Sequence, residues 1–243
     1  INQDTNSYIL FGTAHNPVST VPSIRSFLMK IDKSLNVVQV QFLDEYFDYY
    51  DFAITPNSGQ FICVGTIGIF DRLKAPNRRA VITTLNSNFI CQGINLLPQS
   101  FPIAGNISRF DNIKVVKSYF DRINNKEILF IAGHTTVDYI NGLDKFYFPQ
   151  LFSSKMEIGG IGNLTHVWFS AVDTKSTGMP RLDEVTPCDL IYDESKNQIA
   201  IINSNADKGT GGFLKAHLCL LEATNGNTVG FYTYEGPSAV ANK

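Results

Sequence analysis

Two stretches of this chain match position for position, although they lie 138 residues apart in the sequence. They are residues 51–65, DFAITPNSGQFICVG, and residues 189–203, DLIYDESKNQIAIIN. Each reads as a short apolar strand opened by Asp, a polar turn, a Gln and a second apolar strand. A strand-turn-strand unit that recurs at a fixed distance predicts a repeat architecture.

Further copies of the second strand set the period of the repeat. The sequence FIAG before His134 resembles ICVG before Thr66, and ILFG before Thr13 is a fourth copy. The last residues of these strands are the repeat marks Gly12, Gly65, Gly133 and Asn203. The later three marks are 68 and 70 residues apart, and Gly12 precedes Gly65 by 53. We expect Gly65 and Gly133 to occupy the same structural place, at the end of a second strand.

A second hairpin follows each mark, so each repeat contains four strands. In the repeat of Gly133 this hairpin begins at residues 167–172, which are predicted as the third strand. Asn225-Gly226 between apolar runs is a strong hairpin signal, and residues 27–42 and 80–92 have the same pattern. The runs 61–64, 128–132 and 199–202 are continuously apolar, as in strands buried on both faces. Residues 37–42 instead alternate Val or Phe with Gln, which is typical of a half-exposed outer strand.

These patterns predict an all-β chain of four-stranded antiparallel blades arranged as a β-propeller. The four repeats span approximately residues 7–43, 49–97, 112–185 and 188–235, within a single domain of residues 1–243. The first repeat lacks a candidate for its first strand. Either the chain is part of a larger ring, with the missing strand supplied by another segment or chain, or a small ring closes in another way.

The repeats also carry a family resemblance. TPNSGQFICVG at residues 55–65 and LMKIDKS at residues 28–34 resemble the T-x-D-G-G-Y-I-x-x-G and L-x-K-L-D-x-x-G motifs of kelch-like propellers, which many exported bacterial proteins contain. The resemblance implies a propeller fold and a secreted or cell-surface location. It implies no chemistry, because one fold hosts many functions.

Composition excludes several classes of function. Charged residues make up 17 % of the chain and the net charge is −2, so the basic surface of a nucleic-acid binder is absent. No apolar run approaches the roughly 20 residues of a membrane span. No two His or Cys residues have the spacing of metal ligands, and we expect neither a metal nor a cofactor.

The four cysteines are predicted to be buried free thiols. Cys63 and Cys91 fall on the second and fourth strands of one repeat, and Cys188 and Cys219 on the first and third strands of another. Two strand spacings separate the members of each pair by about 9.5 Å. A disulfide needs Cα atoms within about 7 Å, so neither pair should be bridged. The alternative to free thiols is a disulfide between two blades.

One acidic and aromatic segment is the candidate ligand site. Residues 44–51, DEYFDYYD, bring four carboxylates near three tyrosines. Aromatic faces pack on sugar rings, and two carboxylates about 5 to 9.5 Å apart can hydrolyse a glycosidic bond. The candidate ligand-binding residues are therefore Asp48, Tyr49, Tyr50 and Asp51, with His134 near a blade end. The alternatives are a solvated loop with gap-filling aromatics, and a structural role for Asp51 and Asp189 in binding backbone amides.

A second candidate is the connection between residues 135 and 164, which we expect to be a long loop. Its apolar residues favour packing over a face of the domain or contact with a partner protein. The candidate partner surface consists of Phe146, Tyr147, Phe148 and Phe152.

The sequence thus favours a non-enzymatic binding or protein-interaction module with a protein or glycan partner. The alternative is a carbohydrate-active hydrolase or lyase that uses carboxylates on one propeller face, with Asp48 and Asp51 as the first candidates.

Overall fold

The computed structural model describes residues 7–15, 24–44, 47–67, 79–97, 101–103, 106–141, 144–171, 185–206 and 214–235. These residues form four antiparallel sheets, each built from one continuous part of the chain. The only described helix is a short 3-10 helix, Gly160–Gly162. The all-β prediction and the antiparallel sheets are confirmed.

Sheets I and II lie in the first part of the chain. Sheet I has three strands in the order β1 (Ser7–His15), β2 (Ile24–Asp32) and β3 (Val37–Phe42). Sheet II has four strands in the order β4 (Phe47–Ile54), β5 (Phe61–Ile67), β6 (Arg79–Leu85) and β7 (Cys91–Leu96). The hairpins predicted at residues 27–42 and 80–92 are β2–β3 and β6–β7.

Sheets III and IV follow. Sheet III contains β8 (Phe101–Ile103), β9 (Asn106–Asp121), β10 (Lys126–Asn141), β11 (Asp144–Ile158) and β12 (Leu164–Ala171), with β8 at one edge. Sheet IV contains β13 (Val185–Asp193), β14 (Gln198–Ala206), β15 (Leu214–Glu222) and β16 (Thr228–Glu235). We call β4, β9 and β13 first strands, and the strands that follow them second, third and fourth strands.

The expected loop at residues 135–164 is wrong, because most of this segment forms the long hairpin of β10 and β11. Those two strands pair from Glu127 opposite Ile158 to Asn141 opposite Asp144. Residues 167–172 were predicted as a third strand, but β12 is the fourth strand and β11 takes the third place. The sheet extends here because two long strands satisfy each other's backbone groups.

Consecutive sheets pack against each other through apolar clusters. Leu28 and Phe61 lie between sheets I and II, and Val64 and Ile131 between sheets II and III. A third cluster, which includes Phe130, joins sheets III and IV. Among the described residues, no cluster joins sheet IV to sheet I. The second strand β5 is buried on both faces from residue 61 to residue 66, as its apolar run predicted.

In strand β3 a glutamine faces the neighbouring sheet, and apolar residues face away from it. Its Gln39 points toward sheet II, where its amide Nε2 donates to the carbonyl oxygen of Asn88 at 3.0 Å. Val40 and Phe42 lie on the other face and are exposed. Sheet I therefore has an exposed apolar outer face.

Candidate functional site

The three first strands share one irregularity, a β-bulge opposite a repeat mark. Tyr49 pairs with Gly65, whereas Asp51 pairs with the preceding Val64, so the intervening residue Tyr50 is the extra residue of the bulge. The same shift in sheets III and IV makes Lys114 and Cys188 the extra residues of their bulges. We call Tyr50, Lys114 and Cys188 the bulge row.

The bulge explains why two of the repeat marks are glycine. A Cβ built on Gly65 would overlap the carbonyl oxygen of Asp48, and one on Gly133 would overlap that of Asn112. Neither glycine has a positive φ, so close backbone approach, and not backbone conformation, requires glycine there. The prediction that the two share one structural place is confirmed. The expected strand end is wrong, since both lie within strands.

Two neighbouring members of the bulge row, Tyr50 and Lys114, contact each other. The ammonium nitrogen of Lys114 lies 3.2 Å from the ring centroid of Tyr50, which is a cation–π geometry across the boundary between sheets II and III. Tyr50 is 38 % exposed. Cys188 is also exposed, and its Sγ lies 3.5 Å from the Ser204 hydroxyl. The row therefore contains an exposed aromatic ring, a half-buried cation and an exposed thiol.

The next residues along the first strands, Asp51 and Asp189, are occupied by contacts between sheets. Asp51 Oδ2 accepts a hydrogen bond from the amide of Val116 at 3.0 Å. Asp189 Oδ1 lies 3.0 Å from the ammonium nitrogen of Lys117. The equivalent positions and their contacts with the neighbouring sheet agree with the structural role that the sequence offered as an alternative.

The two carboxyl groups differ in their pKa values. Burial raises the pKa of Asp51 above its ordinary value, and hydrogen bonds from the amides of Val116 and Phe52 offset this only in part. Partial burial also acts to raise the pKa of Asp189, but the hydrogen bonds from Lys117 and the Leu190 amide outweigh it and lower the pKa.

A further polar pair lies beyond the bulge in sheet III. His134 pairs with Asn112 across β9 and β10, as the half-buried Asp48 pairs with Thr66 in sheet II. Burial, together with the nearby Lys114 charge, lowers the pKa of His134 to about 4. His134 Nε2 and Asn112 Oδ1 are buried and have no hydrogen-bond partner among the described residues. A ligand could reach His134 Nε2 only if the surrounding packing opened.

Tyr49 is not a surface residue. It is 3 % exposed within the cluster between sheets I and II, and its hydroxyl oxygen lies 2.6 Å from Thr83 Oγ1. Tyr49 and Thr83 line a cavity of about 120 Å³, which neither Tyr50 nor Asp51 lines. The adjacent tyrosines thus separate into one core residue and one exposed residue.

The predicted partner surface is not supported by its one described member. Phe152 is fully buried, with its ring centroid 5.5 Å from that of Phe169. Because it pairs with Gly133 in β10, its ring packs into the space that the glycine leaves. Phe146, Tyr147 and Phe148 lie on β11, and their side chains are outside the described residues.

All four cysteines belong to the described residues and are free thiols, as predicted. Their predicted burial holds for Cys63 and Cys219 but is wrong for Cys91 and Cys188, which are exposed. The described residues contain no group of three or more His, Cys, Asp or Glu side chains that could hold a metal ion. No helix in the described part of the chain is long and apolar enough to span a membrane.

Comparisons with known proteins do not identify a family. No protein-family model matches the sequence, and no curated protein matches it. A glycosyl hydrolase from Bacteroides ovatus is 13 % identical, with a TM-score of 0.42 over 93 % of this chain and 67 % of that one. The tail fiber of Staphylococcus aureus phage P68 is 6 % identical, with a TM-score of 0.29 over 87 % and 70 % of the chains. Both scores are too low for either similarity to identify the fold or the function.

Sequence reasoning missed Lys114, Cys188 and Asn112 as members of this region. A bulge adds one residue to a strand, so the sequence period does not reveal which residue is unpaired. The sequence did contain one signal, which is the position of the marks. In each of the three sheets the bulged residue directly follows the first-strand residue that pairs with the mark.

Proposed function

We propose that the four sheets are consecutive blades of a kelch-like β-propeller or of part of one. The support is that sheet packs on sheet in chain order and that three first strands carry the same bulge opposite the same repeat mark. The unit is a single repeat-built domain, in keeping with the sequence pattern.

The function that the geometry supports best is non-enzymatic binding at the bulge row. The observation that carries this proposal is the contact between Lys114 and Tyr50, which places a cation and a partly exposed aromatic ring side by side. Both residues project from bulges, which commonly re-aim side chains next to functional sites. The same feature recurs at Cys188 in the next sheet.

The ligand class that fits the row is a glycan. Aromatic rings pack on the apolar faces of sugars, while an ammonium group and a carboxylate hydrogen-bond to hydroxyl groups. Tyr50, Lys114 and the half-buried Asp48 supply these three kinds of group within neighbouring strands. A secreted or cell-surface location follows from the proposed ligand and from the resemblance to exported proteins.

Binding is favoured over hydrolysis because Asp51, one of the two candidate carboxylates, and its counterpart Asp189 are already engaged. Asp51 accepts a backbone amide and Asp189 pairs with Lys117. The observation that favours a hydrolase or lyase is the raised pKa of Asp51, since a carboxylic acid that donates a proton needs such a shift. Asp48 would then be its partner carboxylate.

A glycan array tests the binding proposal. We expect the parent protein to bind a subset of glycans, and Tyr50→Ala or Lys114→Met to weaken that binding by about 1 to 2 kcal/mol, roughly 5- to 30-fold. Tyr232→Ala is the matched control, because Tyr232 is an exposed tyrosine on β16, three strands away from the bulge row member of its sheet. The melting temperature of each variant should stay near that of the parent.

The outcomes separate the two functions. Loss of glycan binding in Tyr50→Ala with no release of reducing sugar from the bound glycans supports the binding module. Sugar release that Asp51→Asn abolishes would support the hydrolase instead. Equal binding by the parent and Tyr50→Ala would show that the bulge row is not the ligand surface.

A further inference from the structure

The apolar contact between sheets III and IV ends in polar residues on both sides. The apolar cluster between these sheets includes Ala132 of β10 and Ile201 of β14, so the two side chains point toward the facing sheet. Side chains two positions apart on a strand share a face. His134 therefore continues the face of Ala132. Asn203 likewise continues the face of Ile201, and the two polar residues face each other's sheet.

Each of these residues has a polar neighbour on the adjoining strand. Asn112 pairs with His134, and His217 pairs with Asn203. Leu151, which pairs with His134 on its other side, belongs to the same apolar cluster and confirms the direction of this face. Asn203 is fully buried, while His217 is 2 % and Asn112 7 % exposed. We call Asn112, His134, Asn203 and His217 the polar quartet.

The polar quartet contains hydrogen-bonding atoms that the described residues do not pair. The amide nitrogen and the amide oxygen of Asn203 are both buried without a partner there, as are Asn112 Oδ1 and His134 Nε2. His217, by contrast, is held by Thr233, whose Oγ1 lies 3.1 Å from its Nδ1. Unpaired buried polar atoms are rare in native structures, because each has lost its hydration without compensation. The quartet therefore calls for a ligand that supplies the missing hydrogen bonds.

The unpaired atoms determine the class of that ligand. Asn112 Oδ1 and Asn203 Oδ1 only accept hydrogen bonds, so the ligand must donate. Asn203 Nδ2 only donates, so the ligand must also accept. A metal ion cannot accept a hydrogen bond, and a sulfate or carboxylate ion has no hydrogen to donate. A neutral hydroxyl compound does both.

The electrostatics of the quartet agree with a neutral ligand. Burial, and after it the charge of Lys114, lower the pKa of His134 to about 4, so the imidazole is uncharged at pH 7. The same positive charge of Lys114 would repel a bound cation.

We propose that the polar quartet is an internal water site that joins sheets III and IV. Water is the smallest compound that both donates and accepts, and the site is enclosed by its own side chains. Buried water typically makes about three hydrogen bonds to groups that lack other partners. Water here donates to Asn112 on one sheet and to Asn203 on the other, and so links the sheets where their apolar contact ends. This role is independent of ligand binding at the bulge row.

Oxygen-17 magnetic relaxation dispersion of the whole chain tests the proposal, because it counts water molecules that stay bound longer than the protein takes to tumble. The Asn112→Leu/Asn203→Leu double variant should lose at least about one such molecule relative to the parent. Asn203→Ser keeps a donor and an acceptor and should retain it. Thr83→Val is the matched control, since it removes a buried hydroxyl group that Tyr49 already pairs in sheet II, and it should leave the count unchanged.

Thermal melts test the link between the sheets. Asn112→Leu and Asn203→Leu each leave the other members of the quartet without partners and should each lower the melting temperature by about 4 to 8 °C. The double variant should fall short of the sum of the two losses by at least about 2 °C, because both sides of the site are then apolar. Asn203→Leu combined with the distant Thr83→Val should give additive losses.

Three outcomes would overturn the proposal. The first is an equal number of long-lived waters in the parent and the double variant or, should the double variant not fold, in the parent and Asn203→Leu. The second is additive melting losses for Asn112→Leu and Asn203→Leu. The third is an Asn203→Leu variant that melts above the parent, which would show that the buried amide has no bound partner to lose.

Discussion

Replacing Tyr49 with alanine tests the division of the two adjacent tyrosines into a core residue and a surface residue. The ring of Tyr49 is packed between sheets I and II, with its centroid 5.9 Å from that of Phe47. Aromatic-to-alanine changes in cores cost about 3 to 5 kcal/mol. Because Tyr49 already lines a cavity of about 120 Å³, we expect the lower part of that range, about 3 to 4 kcal/mol.

A loss of this size is easy to measure. For a chain of this length each kcal/mol corresponds to about 2 to 4 °C, so Tyr49→Ala should lower the melting temperature by about 6 to 16 °C. Tyr49→Phe removes only the hydroxyl group that contacts Thr83 and should cost about 1 kcal/mol. Tyr50→Ala, at the exposed neighbour, should cost less than about 1 kcal/mol.

Urea unfolding and thermal melts of the three variants decide the matter. The predicted order of destabilisation is Tyr49→Ala, then Tyr49→Phe, then Tyr50→Ala. If Tyr50→Ala were the most destabilising of the three, or Tyr49→Ala cost under about 1 kcal/mol, the packing described for β4 would be wrong.

Three further perturbations have definite expected outcomes. Gly65→Val and Gly133→Val should each destabilise by about 2 to 3 kcal/mol in urea unfolding, because the added side chain meets a backbone carbonyl, whereas Gly93→Val should change stability by under about 0.5 kcal/mol. Glu127→Ala should cost about 2 to 3 kcal/mol in the same assay, since its buried carboxylate accepts two backbone amides and a hydroxyl from the β4–β5 turn. The pKa of His134 is about 4 in the folded chain, against 6.5 in the unfolded chain. The contribution of neutral His134 to stability is therefore present above pH 6.5 and is lost as the pH falls toward 4. The free energy of unfolding measured from pH 7 to pH 4 should fall less in His134→Gln than in the parent. Equal stability of the valine variants and the control, no loss in Glu127→Ala, or identical pH profiles would contradict the respective arguments.

The repeat was readable from the sequence because the glycine marks have a strict physical cause. Gly65 and Gly133 face bulged first strands, and no other residue fits under the carbonyl group. These two glycines in the sequence therefore predicted equivalent places in sheets II and III. Asn203 shows that the rule has an exception, since it occupies the same place opposite Pro187.

The long hairpin of β10 and β11 was missed because its apolar residues were assigned to a long loop that packs over the domain or contacts a partner. Proline lies within this segment. Pro149 argues against a strand, because proline cannot donate to a ladder. The described pairing of β11 with β12 begins only at Phe152, so Pro149 precedes that ladder. The signal that could have found the hairpin is the dipeptide Asn141-Gly142 between the two strands.

Which of Tyr49 and Tyr50 is exposed could not be predicted from their spacing. Alternation of side chains along a strand fails at a bulge, and the bulged residue is Tyr50 itself. The partner of Tyr50, Lys114, lies 64 positions later in another sheet, and nothing local in the sequence joins them. The site depends on how neighbouring sheets are aligned, which a single strand does not encode.

The most direct test of the account is ligand protection of the exposed thiols. Cys188 belongs to the bulge row, and Cys91 is another exposed thiol, on β7, that serves as an internal control. The alkylation rates of both are measured by mass spectrometry, with and without the glycan that binds most strongly on the array. The account predicts that the glycan slows alkylation of Cys188 and leaves that of Cys91 unchanged. A bound glycan that leaves Cys188 unprotected, or that protects Cys91 instead, would contradict the claim that the bulge row is the binding surface.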